Sequence, residues 1–323
     1  MYYSKITILI PCYNVEKYIY KCLNSLVQQN DKNFNLILIN DGSTDTTLSI
    51  MQEFEKKYSK LMSIQIFSQE NVGLVETRKR LVKLCKTKYF VFIDSDDWVD
   101  KKFISSFSKK IEKKDYNCIV AKNKIFSFGC YQWRNFVANN FSSKNSFTKF
   151  IKKADYGYLW NKLYNTKFYL KNINILEKNE YWPTLTEDHY VNSYLLSNIS
   201  PSTVSFISSH QYYYRKTKNS ISNRPKIEKI DEITSHLDSC MNGRKNIFII
   251  NYCIAILSYA LIATGNKSLK FLVYKRIFSQ LEQVNVNRKK LCIFRRIILW
   301  ICSIQYKILS HKYDKIEMNE KNQ

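Results

Sequence analysis

Four times in its first hundred residues this chain repeats one pattern: a short apolar run, a polar break, then a stretch with helical spacing. Lys5 to Ile10 (KITILI) stops at Pro11-Cys12-Tyr13-Asn14, after which Tyr18, Ile19, Cys22, Leu23, Leu26 and Val27 recur at the helical period. Phe34 to Ile39 ends in Asn40-Asp41-Gly42-Ser43-Thr44-Asp45 and leads to a helix reaching about Tyr58. Met62 to Phe67 leads through Asn71-Val72-Gly73 to a helix with Arg78, Leu81, Val82 and Leu84. Tyr89 to Ile93 is the fourth run. Asn14, and Ser43 or Thr44, are expected as helix N-caps, and Gly42 as the residue that permits a tight turn. Alternation of this kind predicts an α/β fold: a mostly parallel sheet with helices on both faces.

In such a sheet the breaks after the strands share one rim, where ligands bind. Every break here is polar: Tyr13 and Asn14, Asp41, Asn71, then Asp94 and Asp96. The fourth is the most demanding, because FIDSDDW puts Asp94, Asp96 and Asp97 at the end of a buried strand with only Ser95 among them. Clustered carboxylates at such a place are costly unless a cation or ligand compensates them. A D-x-D of this kind suits a hard divalent ion, Mg²⁺ or Mn²⁺, which can in turn grip a diphosphate. A solvated acidic turn is the competing reading. The chain has neither G-x-G-x-x-G nor G-x-x-x-x-G-K-[ST], so neither a dinucleotide fingerprint nor a phosphate-cradling loop is indicated.

Taken in order, IPCYN at 10–14, NDGSTD at 40–45, N-x-G-x-x-x-x-R at 71–78 and FIDSDDW at 92–98 resemble the bacterial family 2 glycosyltransferases, over roughly residues 5–220. The resemblance implies a GT-A fold, Rossmann-like, with a helical C-terminal extension. It implies inverting, metal-assisted transfer from a nucleotide sugar, with a UDP-sugar expected and Mn²⁺ or Mg²⁺ as cofactor. Pro11 and Tyr13 would line the base pocket, and Asp41 would accept from the base N–H. Arg78 would reach the base or the diphosphate, with Asn71 in the same donor-binding set. Asp94 would contact ribose or metal, and Asp96 would ligate the metal. The chemistry agrees, since a carboxylate can accept from the uracil imide and a tyrosine face can stack on a pyrimidine. Thr77-Arg78-Lys79 departs from the family's A-R-N; the extra cation would rest on phosphate or face water.

Beyond Asp100 a helix is expected over Lys101–Glu112 and a strand over Asn117–Phe126, followed by an irregular segment with Tyr131, Trp133 and Phe136. Tyr158-Leu159-Trp160-Asn161-Lys162-Leu163-Tyr164 resembles the family's W-N-K-L-Y segment; Trp160 is either acceptor floor or ordinary aromatic core. Thr186 is a candidate N-cap, with Glu187 and Asp188 in the first turn, where acids suit the helix dipole. The resemblance makes Asp188 the catalytic base and puts Glu187 on the acceptor side. His210 to Arg215 (HQYYYR) resembles the strand that closes the site, with Arg215 a candidate for the diphosphate. His189 and His210 are expected to be structural. The expected division is 1–225 as the glycosyltransferase domain, with 1–115 its nucleotide-sugar-binding half and 116–225 its acceptor half, and 226–323 as a helical basic region.

Nine cysteines at irregular spacing, with no C-x-x-C pair, fit reduced buried thiols and not a disulfide framework. MYYSKITILIPCYN lacks the pattern of a signal peptide. The net charge of +24 admits nucleic acid, an anionic membrane or compositional drift. Ile247–Ala263 is uncharged and apolar but short for a span, so a buried bundle helix is expected. Arg288-Lys289-Lys290 and Arg295-Arg296 flank Ile297-Ile298-Leu299-Trp300-Ile301, which suits lying on an anionic leaflet; a packed helix with a wet basic face is the alternative. The expected partners are thus a nucleotide-sugar donor, a surface-glycan or lipid-linked acceptor (capsule, lipopolysaccharide) and the anionic inner face of the cytoplasmic membrane, with no nucleic acid. A basic nucleic-acid-binding module is the alternative function, but it leaves the rim acids unexplained. A D-x-D-x-[TV] phosphatase is discounted, because the fifth position is Trp98 and the acids lie on the fourth strand.

Overall fold

The computed structural model describes residues 4–127, 130–132, 157–178, 182–216, 226–237, 246–263, 265, 267–284 and 298–310. They form two compact units. The first comprises Met1–Phe147, Tyr158–Leu176 and Ile199–Thr217; the second comprises Thr148–Gly157, Glu177–Asn198 and Lys218–Gln323.

The first unit opens with the four expected strand–helix pairs. They are β1 (Ile6–Cys12), α1 (Glu16–Val27), β2 (Asn35–Asp41), α2 (Thr47–Tyr58), β3 (Ser63–Gln69), α3 (Leu74–Leu84) and β4 (Tyr89–Phe92), then the two-residue β5 (Trp98–Val99) and α4 (Phe103–Ile111). Next come β6 (Cys118–Ser127), β7 (Cys130–Gln132), β8 (Lys162–Asn165), α5 (Thr166–Leu176) and, after α6 (Glu187–Ser197) of the second unit, the long β9 (Val204–Lys216). The strands form one mixed sheet in the order β3-β2-β1-β4-β8-β6-β9-β5, with β7 on β6. The β3-β2-β1-β4 half is parallel, as the alternation predicts, while β8 is antiparallel to both β4 and β6. Every residue of β1 and β4 is buried, so both faces of the central strands are covered by helices. Each Ile, Leu or Phe enclosed here contributes about 1.5–3 kcal/mol relative to an exposed position, which fixes the strands in register.

Helix starts are where local reading and tertiary structure part. Asn14 does not cap α1: it sits at φ 49° and its Oδ1 accepts from Thr44 N (2.8 Å). The amides at the entry to α1 are satisfied from the start of α2 instead, Val15 N donating to Thr47 Oγ1 (2.8 Å) and Glu16 N to Asp45 Oδ2 (3.1 Å). Asp45 Oδ1 also accepts from Thr47 N (3.0 Å), so Asp45, not Ser43 or Thr44, secures the start of α2. Two helix N-termini thus share one acid, and the polar loops after β1 and β2 are tied together. Lys79 pairs with Glu76 one turn before it (2.7 Å).

The second unit is helical. Its described elements are α6, α7 (Ile227–Ser235), α8 (Asn246–Ile262), α9 (Lys267–Gln283) and helical residues 298–310. Thr186 precedes α6 but makes no side-chain cap; its Oγ1 is hydrogen-bonded to the Tyr252 hydroxyl on α8 (2.8 Å). The imidazole of His189 lies where a Cβ on Gly157 would stand, so it is a packing residue, and Asn192 Nδ2 donates to Gly157 O (2.6 Å). The apolar run at 247–263 is α8, 17 residues long, with Tyr252, Cys253, Ile256, Leu257 and Ala260 fully enclosed. Among the described residues no helix is long and apolar enough to cross a membrane. Trp133, Phe136, the basic clusters at 288–290 and 295–296, and the loop at 218–220 lie outside the described residues, as do the side chains of Tyr131 and His210.

Candidate active site

The rim of the sheet is built from the segments just after β1, β2 and β4. These three strands are neighbours, with β1 central, so the ends of β2 and β4 lie two strand spacings apart, about 10 Å. Pro11 is buried at the end of β1, whereas the Tyr13 ring just beyond it is 49% exposed. That leaves Tyr13 a free face on which a planar ring can stack.

Asp41, the last residue of β2, is buried and organises the next loop. Its Oδ1 accepts from Gln69 Nε2 (2.7 Å) and Val72 N (3.0 Å), and its Oδ2 accepts from Gly73 N (2.9 Å). Its carbonyl accepts from Asn71 Nδ2 (3.0 Å). A carboxylate that receives three donors is strongly held. The close approach depends on Gly42, at φ 69°, where a Cβ would stand 2.7 Å from Asn71 N. Gly42 is therefore needed twice, for the left-handed turn and for room.

From this loop the network crosses to the carboxylates through α3. Gln69 Nε2 also donates to Thr77 Oγ1 (2.9 Å), and the next residue, Arg78, is buried with Nη2 on Asp94 Oδ1 (2.8 Å). Its guanidinium lies 5.7 Å from the Phe92 ring centre. Arg78 is thus enclosed and holds Asp94 in place. Asp41 and Asp94 are joined by consecutive residues of one helix.

Beyond Asp94 the chain makes a turn, Asp97 N donating to Asp94 O (3.0 Å), and the three acids separate into different roles. Asp97 is fully buried and receives the Tyr212 hydroxyl (2.7 Å) on one oxygen and Arg215 N (2.7 Å) on the other. Tyr212 in turn accepts from Asp94 N (3.1 Å). Arg215 Nε donates to Asp96 O (2.8 Å), and its guanidinium lies over the rings of Tyr18 (5.0 Å) and Trp98 (4.8 Å). Tyr213 stacks on Trp98 at 5.5 Å, and the Lys21 ammonium stands 3.5 Å from the same indole. Trp160 is buried, stacked on Tyr212 at 4.4 Å and on Tyr214 at 5.4 Å, so it supports the rim from beneath.

The electrostatics arise from this crowding. Burial, then the neighbouring charges of Asp96 and Asp94, hold the Asp97 carboxyl well above the usual carboxylate range. Burial and the charge of Asp94 push Asp96 up to about 6. Burial, with Arg215 beside it, lowers the Lys21 ammonium. Asp94 and Asp96, both partly exposed, are the acids that face outward. Among the described residues no group of three or more His, Cys, Asp or Glu is arranged to hold a metal. Two hard carboxylates completed by phosphate oxygens and water are nevertheless a donor set that fits Mg²⁺ or Mn²⁺, which seldom use an all-protein cage.

In the second unit, Glu187 is buried and Asp188 partly exposed in the first turn of α6. The sequence picked out Asp41, Asn71, Arg78, Asp94, Asp96 and Arg215, and the structure brings these six into one bonded network. It placed Asp97 in the carboxylate cluster and Tyr212 in the closing strand without giving either a role, and it did not name Lys21. Asp97 was findable: an acid immediately before the apolar Trp98-Val99 has to be paired to be buried.

The comparisons with known proteins agree with this geometry. The sequence profile of glycosyl transferase family 2 matches residues 7–170, just over half of the chain. Glycosyltransferase GlyA of Streptococcus pneumoniae is 31% identical over 234 residues, 68% of this chain and 32% of that protein. A processive diacylglycerol beta-glycosyltransferase of Mycoplasma genitalium is 30% identical over 182 residues, 51% of this chain and 52% of that protein. The chain therefore spans about a third to a half of the length of these relatives. Among solved structures, S. aureus TarS 1-349 in complex with UDP-GlcNAc superposes with a TM-score of 0.66 at 19% identity, covering 96% of this chain and 92% of that one. A mannosyltransferase of Pyrobaculum calidifontis in complex with GDP-Man and Mn²⁺ gives 0.51 at 11% identity, covering 95% and 88%. With its parallel half-sheet, acidic rim and profile match, the chain belongs to glycosyl transferase family 2.

Proposed function

We propose that this enzyme transfers a sugar from a UDP-sugar, with inversion, to a hydroxyl of a surface-glycan or lipid-linked acceptor. The observation that carries this reading is the bonded network from Asp41 through Arg78 to Asp94, Asp96 and Arg215. It joins the end of β2 to the carboxylates after β4, with the exposed Tyr13 ring just beyond the end of β1, the strand between those two. The S. aureus structure with UDP-GlcNAc, on the same fold, supports the choice of nucleotide. Tyr13 stacks on the uracil. Asp41 Oδ2 takes its N–H, and Asn71 borders the ribose. Arg78 acts through Asp94, and Arg215 presents its guanidinium to the diphosphate.

A divalent ion on Asp94 and Asp96, Mn²⁺ or Mg²⁺, would supply positive charge to the departing diphosphate. The acceptor oxygen forms a bond to the anomeric carbon as the bond to the diphosphate breaks on the opposite face. The electron pair leaves with UDP, and the acceptor proton passes to Asp188. Of the acid pair on α6, Glu187 is enclosed and Asp188 is partly exposed, which favours Asp188 for this role. The acceptor class is suggested by relatives that include a teichoic acid poly(glycerol phosphate) polymerase of Staphylococcus epidermidis, 38% identical over 112 residues, 35% of this chain and 15% of that protein. A cytoplasmic location at the inner face of the membrane follows from such an acceptor and from the basic C-terminal region. The test is a thermal-shift panel of UDP-, GDP- and CDP-sugars with and without Mn²⁺. UDP-sugars alone should stabilise the protein, and more so with the ion; stabilisation by a GDP- or CDP-sugar instead would reject the donor assignment.

A further inference from the structure

Helical residues 298–310 in the second unit have two unlike faces. The inner face is fixed by packing. Leu299 and Cys302 are buried, and Cys302 Sγ donates to Leu257 O on α8 (3.8 Å). Tyr306 stacks on Phe271 of α9 (5.4 Å), and Gln305 Oε1 accepts from the Tyr274 hydroxyl (2.6 Å). With that face committed, Trp300, Ile304 and Ile308 point outward, 62%, 39% and 64% exposed. Residues four apart on a helix lie one above another, so the three form a single line about 12 Å long. Single exposed apolar residues are ordinary, but three large ones in register on one helix are a surface with a use.

We propose that this stripe is the membrane-contacting face of the enzyme, seated in the interface of an anionic bilayer with Trp300 as its anchor. Charge complementarity selects the occupant. Between residues 286 and 315 the sequence carries Arg288, Lys289, Lys290, Arg295, Arg296, Lys307, Lys312 and Lys315 against one acid, Asp314. An apolar, Trp-bearing line in a segment whose sequence is this rich in cations matches the headgroup region of anionic lipid, with the exposed Lys307 at the phosphates and the stripe at the acyl boundary. A second copy of the chain fits less well, because a two-fold interface on this helix would bring the exposed Lys307 toward its own copy. The stripe offers only a few hundred Å², whereas a stable protein interface needs about 1,000 Å² or more. This deepens the membrane reading of the proposed function by naming the face, and it does not depend on the donor or the base.

The test is sedimentation of the full chain with phosphatidylcholine vesicles, plain or carrying about a third phosphatidylglycerol. Wild type should sediment with the anionic vesicles only. The triple variant Trp300→Ser, Ile304→Ser, Ile308→Ser should partition at least ~10-fold more weakly. Its melting temperature and UDP affinity should equal the wild type's, which separates loss of docking from loss of fold or donor site. Brominated acyl chains should quench tryptophan fluorescence in wild type and much less in Trp300→Phe. Undiminished partition of the triple variant, equal sedimentation with plain vesicles, or a solution dimer that the triple variant dissociates would each overturn the proposal.

Discussion

The hydroxyl of Tyr212 is the smallest group whose removal should be felt across the whole rim. It donates to Asp97 Oδ2 at 2.7 Å and accepts from Asp94 N at 3.1 Å, in a fully buried position. Tyr212→Phe keeps the ring and its stacking on Trp160, so no cavity larger than one oxygen results. What it leaves is a buried carboxylate oxygen and a backbone amide without their partner. Each such orphan costs about 1–3 kcal/mol. Asp97 keeps its bond from Arg215 N, and Asp94 lies where water can reach, so the sum belongs at about 2–4 kcal/mol. At roughly 2–4 °C per kcal/mol for a unit of this size, the melting temperature should fall by about 5–15 °C. Scanning calorimetry of wild type, Tyr212→Phe and the exposed control Tyr20→Phe reads this directly. The control should stay within about 0.5 kcal/mol of wild type. If Tyr212→Phe melts within a degree of wild type, the clamp between β4 and β9 does not exist as described.

Three further outcomes are expected. Asp41→Asn has one acceptor oxygen where three donors converge, so it should lose about 1–3 kcal/mol and weaken UDP binding, measured by thermal melts with and without UDP; an unchanged melt would show that the 69–73 loop is held otherwise. Asp188→Asn should lower kcat by about 10²–10⁴ with UDP affinity kept, and near-wild-type turnover would move the base elsewhere. Cys12, Cys22, Cys118 and Cys253 are enclosed, with burial pushing each thiol up, Cys118 and Cys253 to about 12. Mass spectrometry after iodoacetamide at pH 8 should find these four unmodified in the folded protein, and rapid alkylation would contradict their placement.

The sheet was legible because its central strands are apolar on both faces and bounded by polar breaks, a pattern that survives without knowledge of partners. Tyr89 to Ile93 gave β4 almost to the residue, and the uncharged run at 247–263 gave α8. The helix starts were not legible. Asn14 has the right chemistry for a cap, but its carbonyl oxygen is claimed by Thr44, 30 residues away, and Asp45 takes over from another loop. The rim acids could be found but not ranked. Asp94, Asp96 and Asp97 read alike in sequence, and they become an arginine partner, an outward-facing acid and a buried clamp only through Arg78, Tyr212 and Arg215. Two of those three partners lie more than a hundred residues downstream. Trp160 illustrates the same limit: its ring reads equally as floor or core, and the stack on Tyr212 makes it a support for the site. α6 groups with the C-terminal helices, Thr186 and Tyr190 both meeting Tyr252 of α8, contacts that local pattern does not encode.

The central claim is that Asp94 and Asp96 draw a divalent ion to the diphosphate of a nucleotide held by the β1–β2 rim. Isothermal titration of UDP into wild type and Asp96→Ala, each with Mn²⁺ and with EDTA, addresses it most directly. Wild type should bind UDP at least ~10-fold tighter with Mn²⁺, a gain of about 1.4 kcal/mol, while Asp96→Ala should bind equally in both conditions with an unaltered melting temperature. Equal affinity of wild type in Mn²⁺ and EDTA, or a gain from Mn²⁺ that Asp96→Ala retains, would contradict it.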